Sequence, residues 1–74
     1  MLEITLGNYI YRFQPLNGRA FIRIYKPDGS SDTYEYKTIE EGMGHLNFIL
    51  MQQGHHIYDF NKGVLRTLNE NDVQ

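Results

Sequence analysis

The chain has 74 residues, no cysteine and a formal charge of −2, with seven Lys and Arg against nine Asp and Glu. One small core is all that this length allows, and at this size a core leaves only a few kcal/mol of net stability. The missing cysteine excludes disulfides, thiolate catalysis, iron–sulfur clusters and the usual structural zinc sites, while the mild charge excludes both a carboxylate-dense DNA mimic and a protein held by phosphate contacts alone.

The charge is unevenly spread. Residues 1–37 hold five cations and four anions, residues 38–74 two cations and five anions. No apolar run is long enough to cross a bilayer, and the N-terminus lacks the basic, apolar and small-residue succession of a signal peptide. With no disulfide framework either, a soluble cytoplasmic protein without a membrane partner is expected.

In chain order, LEITL (2–6) reads as a short strand and Gly7-Asn8 as a turn. NYIYRFQ (8–14) follows as a second strand, and PLNG (15–18) as a loop ending in Asn-Gly, a strong hairpin signal. RAFIRIYK (19–26) is the third strand, PDGS (27–30) a tight turn and SDTYEYK (31–37) the fourth strand. Three consecutive short connections imply an antiparallel meander.

The period then changes from two to about 3.6. Thr38-Ile39-Glu40-Glu41 fits a capping box, and Ile39, Met43, Leu46 and Leu50, flanked by Ile49, recur at helical spacing. Gly54 is the expected C-terminal stop, giving a helix from Thr38 to Gln53. Gly42 and Gly44 interrupt it at a cost of about 1 kcal/mol each relative to Ala, and Gly42 is expected to let the helix approach a tyrosine of the sheet. HHIYDF (55–60), NKG and VLRTL (64–68) suggest a closing hairpin, and 69–74 a disordered polar tail. The expected fold is α+β: one domain over residues 1–68, a two-layer sandwich of an antiparallel meander of about four strands on one helix, then a C-terminal strand or hairpin.

Alternation assigns the sheet faces. Tyr9, Tyr11, Phe13, Ala20, Ile22, Ile24, Tyr34 and Tyr36 form the side that accepts the helix. Ile10, Arg12, Phe21, Arg23, Tyr25, Thr33 and Glu35 form the other. A helix of about 16 residues is roughly 24 Å long and covers one face of such a sheet. The second face, where guanidinium groups interleave with aromatic rings, stays open in a monomer. It suits a protein hot spot or a stacking platform for nucleobases; as plain structure it is a solvated face kept soluble by cross-strand pairs among Arg23, Glu35 and Arg12.

Two further features invite a function. Phe48 projects opposite the Ile39/Leu46 stripe with Met51 beside it, and these either pack within the chain or meet a partner. His45, His55, His56 and Asp59 are candidate metal ligands, yet adjacent strand residues diverge and His55 and Asp59 lie about 13 Å apart at 3.3 Å per residue. No metal or cofactor is therefore expected. Glu40 and Glu41 suit the positive end of a helix and do not face one another, and no catalytic motif is present, so a non-catalytic protein is expected.

The partner-binding residues expected are Arg12, Arg19, Phe21, Arg23, Tyr25, Phe48 and Met51. Six tyrosines favour contact surface at low rotamer cost. In size and class, with no shared motif, the chain resembles small cysteine-free phage and mobile-element proteins that inhibit host machinery. That resemblance implies a binding module acting by steric block. A homodimeric structural or regulatory domain and a single-stranded nucleic-acid-binding sheet are the alternatives, nucleic acid ranking last because only three arginines serve it.

Overall fold

The computed structural model of the chain describes residues 1–68; the tail expected at 69–74 lies outside the described residues. The elements are β1 (Leu2–Leu6), β2 (Tyr9–Leu16), β3 (Arg19–Tyr25), β4 (Ser31–Tyr36), α1 (Ile39–Gly54), β5 (His56–Asp59) and β6 (Val64–Thr67). β1 to β4 form one antiparallel sheet in chain order, and β5 with β6 forms a two-stranded ribbon. This is the α+β meander, helix and hairpin that the sequence predicts. Contacts group the chain into two compact units, Met1–Met43 and from Gly44 onward, with the boundary inside α1.

In the first unit the hairpin turns set the register. Leu16 pairs with Arg19, so the β2–β3 loop is Asn17-Gly18 alone. Both residues have positive φ, 53° and 77°, the signature of the type I′ turn that matches strand twist. The expected four-residue loop is thus too long by two: Pro15 and Leu16 continue the strand. Pro15 is tolerated because the β1–β2 register ends at Phe13, leaving Pro15 with one neighbouring strand. The β3–β4 turn is closed by Asp28, whose Oδ1 accepts the Ser30 N–H at 2.9 Å and the Ser30 hydroxyl at 2.6 Å. Those bonds favour the carboxylate and hold Asp28 below its ordinary pKa.

The registers put Ile4, Tyr11, Phe13, Ala20, Ile22 and Ile24 on one face, and all six are buried. Full burial of a side chain such as Ile22 contributes about 1.5–3 kcal/mol. Tyr34, expected on this face, lies on the edge strand β4 and stays exposed. Burial, followed by the neighbouring Tyr9, raises the Tyr11 pKa; burial and then Tyr34 do the same at Tyr36.

The first turn of α1 is seated on this face through Gly42. The Glu41 N–H donates to Thr38 Oγ1 at 3.1 Å, one of the two bonds of the expected capping box. A Cβ on Gly42 would stand 2.5 Å from the Ala20 Cβ, 3.0 Å from Phe13 Cε1 and 3.5 Å from Tyr36 Cδ2. The close neighbour is therefore chiefly Ala20, with Tyr36 third, where the sequence suggests a tyrosine.

In the second unit Leu46 and Leu50 are fully buried, as the helical stripe requires. The helix runs one residue past its expected end. Gly54 is its last residue, and the left-handed conformation falls on His55, with φ 58°. A Cβ on Gly54 would stand 3.1 Å from the His56 ring, a tight contact that a small shift of the ring relieves. The His55 carbonyl accepts the Leu68 N–H at 2.6 Å, fixing the turn. Asn47 clasps the hairpin, its Oδ1 accepting the Tyr58 N–H at 2.6 Å and its Nδ2 donating to the Tyr58 carbonyl at 3.1 Å. Among the described residues no helix is long and apolar enough to cross a membrane.

Candidate functional site

The outer face of the β1–β4 sheet is laid out by three registers. One row runs Thr5, Ile10, Tyr25, Ser31; the next Glu3, Arg12, Arg23, Thr33; the third Gln14, Phe21, Glu35; and Leu16 faces Arg19 at the β2–β3 end. Five of the expected binding residues, Arg12, Arg19, Phe21, Arg23 and Tyr25, thus share one surface. The alternation of short strands whose other side is buried explains this placement.

Arg12 is held in place. Its Nε and Nη2 lie 3.0 and 2.9 Å from Glu3 Oε2, its Nη1 donates to the Tyr25 hydroxyl at 3.2 Å, and its Cζ sits 5.1 Å from the Tyr25 ring centroid. Tyr25 is diagonal to Arg12 across the β2–β3 pair, within reach of a long side chain. Arg19 is bound to Glu35 Oε2 at 2.7 Å. The sequence suggests Arg23 with Glu35; instead Glu35 stands opposite Phe21 and takes Arg19, because the register sets Arg23 against Thr33.

Arg23 differs from the other two arginines. Its Nε donates to Thr33 Oγ1 at 3.0 Å, and among the described residues no carboxylate pairs with it. Its direct partner on β2 is Arg12, so two guanidinium-bearing side chains stand opposite one another. Between them and the rings lies a depression of about 290 Å³, lined by Arg12, Gln14, Leu16, Phe21, Arg23 and Tyr25. That is at the lower end of small-molecule pockets, room for one or two anchoring side chains. Leu16 is 50 % exposed at its rim, whereas Phe21 and Tyr25 are half-buried.

Leu16 and Gln14 are the residues of this site that sequence reading misses. The alternation Ile10, Arg12, Gln14, Leu16 carried the signal; Pro15 ended the predicted strand before Leu16, while Gln14 lay inside it and was not placed on the open face. The other expected residues, Phe48 and Met51, are on α1 in the second unit, with Phe48 58 % exposed and stacked on His45 at 5.9 Å. The candidate metal ligands are spent separately. His56 Nδ1 lies 3.2 Å from Thr67 Oγ1, and Asp59 Oδ1 accepts the Asn61 and Lys62 N–H groups at 2.9 and 3.0 Å. Among the described residues no three His, Asp or Glu side chains gather as a metal site would.

Comparison with protein-family models, with curated proteins and with solved structures returns no match.

Proposed function

We propose that this chain is a non-catalytic protein-binding module whose contact surface is the outer face of the β1–β4 sheet. The observation that carries the reading is the depression of about 290 Å³, where exposed Leu16 and half-buried Phe21 and Tyr25 lie beside the guanidinium groups of Arg12 and Arg23. Aromatic and arginine side chains dominate binding hot spots because they offer large contact area with directed hydrogen bonds. Arg12 and Arg19 are already oriented by Glu3 and Glu35, so little side-chain freedom is lost when a partner docks. The residues of this face bind but supply no nucleophile–base pair. A small domain of this kind acts by occupying a partner's surface, which fits an inhibitor working by steric block in the cytoplasm.

Affinity capture from the source cell tests this, comparing the wild-type chain with an Arg23→Ala/Tyr25→Ala double variant. A partner retained by the wild type and lost by the variant is expected, with matching circular dichroism spectra for the two chains. Equal capture by both chains rejects this face.

A further inference from the structure

On the sheet face the register sets two arginines opposite one another, and among the described residues only one of them has a carboxylate partner. Arg12 and Arg23 are direct cross-strand partners, and like charges so placed destabilise a sheet. Glu3 neutralises Arg12. Arg23 is exposed and uses Nε on a neutral hydroxyl, which leaves its Nη1 and Nη2 donors, the edge that grips a carboxylate in two parallel bonds. Beside it are the rings of Phe21 and Tyr25 and the exposed side chain of Leu16.

We infer that this depression takes an acidic peptide segment, an Asp or Glu carboxylate chelated by Arg23 with an adjacent apolar side chain set against Leu16, Phe21 and Tyr25. The inference rests on the protein-binding reading above and names the chemistry of the partner. Charge decides for a peptide over a nucleic acid. The face carries Arg12, Arg19 and Arg23 against Glu3 and Glu35, and two of the three arginines are already paired. One unpaired guanidinium matches one carboxylate, whereas tracking a phosphate backbone needs a succession of them. Binding supplies a carboxylate to Arg23, which has none among the described residues. Removing Arg23 should therefore weaken binding.

The test is selection of a random heptapeptide display library on the full chain, followed by fluorescence polarisation of labelled enriched peptides. Enriched sequences should carry Asp or Glu within two residues of an aliphatic or aromatic side chain. Their Asn/Gln twins should bind roughly tenfold to a hundredfold more weakly, and Arg23→Gln should weaken the acidic peptide by a similar factor. The same variant should leave the thermal midpoint close to that of the wild type, since Arg23 is exposed and makes one exposed hydrogen bond, to Thr33. Three outcomes overturn the inference alone, leaving the sheet-face reading to its capture test: enrichment without acidic residues, no enrichment, or equal binding by Arg23→Gln while Phe21→Ala abolishes it. Peptide binding indifferent to both substitutions, or oligothymidylate binding that depends on Arg23 where no peptide binds, overturns the inference and the sheet-face reading together.

Discussion

Replacing Gly42 and Gly44 with alanine, one at a time, separates helix propensity from packing within three residues of one helix. At Gly44 nothing lies within 4 Å of the added methyl group. Gly44→Ala should therefore return most of the propensity cost of glycine, about 0.5–1 kcal/mol. At Gly42 the same methyl group would stand 2.5 Å from the Ala20 Cβ and 3.0 Å from Phe13 Cε1. Carbon atoms pack at about 3.5–4.0 Å, so the helix must lift by roughly 1 Å or the strand must yield. The Phe13 ring can tilt, but Ala20 is fully buried on an inner strand and its Cβ moves only with the backbone. Overpacking of this kind costs about 1–3 kcal/mol, and the overlap places Gly42→Ala toward the upper end. After the propensity gain, a net loss of about 2 kcal/mol is expected. For a domain of this size each kcal/mol is worth about 4–8 °C, so the midpoint should drop by roughly 8–16 °C for Gly42→Ala and rise by about 2–8 °C for Gly44→Ala. Thermal unfolding followed by circular dichroism reads both. Equal midpoints, or a rise at Gly42, would show that the first turn of α1 is not seated on Ala20.

The hairpin clasp gives a second prediction: Asn47→Ala leaves the Tyr58 N–H and carbonyl without their partners and should cost about 2 kcal/mol in urea denaturation, with faster amide exchange at Tyr58. Asn47→Asp keeps an acceptor for the N–H but sets a second oxygen against the carbonyl, so it should recover only part of the loss. His55→Gly should stabilise by roughly 0.5–1 kcal/mol, since φ 58° suits glycine, whereas His55→Val should lower the denaturation midpoint. Alkaline titration gives the last. Tyr11 and Tyr36 ionise above the ordinary value of 10.0, so the unfolded chain loses these protons first. Their contribution is intact below about pH 10 and is lost as pH rises through the folded-state values. Tyrosinate absorbance should show a late-titrating class in the folded chain, and Tyr11→Phe should flatten the fall of stability with pH; a single titration shared by all tyrosines, with flat stability, would contradict it.

The meander was legible because its signals are local. Asn17-Gly18, the Asp28 turn and the period-two runs each act over a few residues, and Thr38 with Glu41 marks the helix start by itself. Two boundaries were misplaced for a common reason. Pro15 reads as a strand breaker unless one knows that β1 does not flank that part of β2. Gly54 reads as the helix stop, yet the helix keeps it and the left-handed conformation falls on His55, whose carbonyl takes the Leu68 N–H from the far end of the hairpin. Both depend on neighbours distant in sequence.

Sequence alone determined which side chains share a face, because strand alternation sends Arg12, Phe21, Arg23 and Tyr25 the same way whatever their partners. Only the tertiary structure decided which of them meet. Register set Arg23 against Arg12 and Thr33, gave Glu35 to Arg19, and brought Leu16 to the rim of the depression. A slip of two residues would keep every face and change every pair. The electrostatic character of the site therefore comes from turn geometry and long-range pairing, which no single strand encodes.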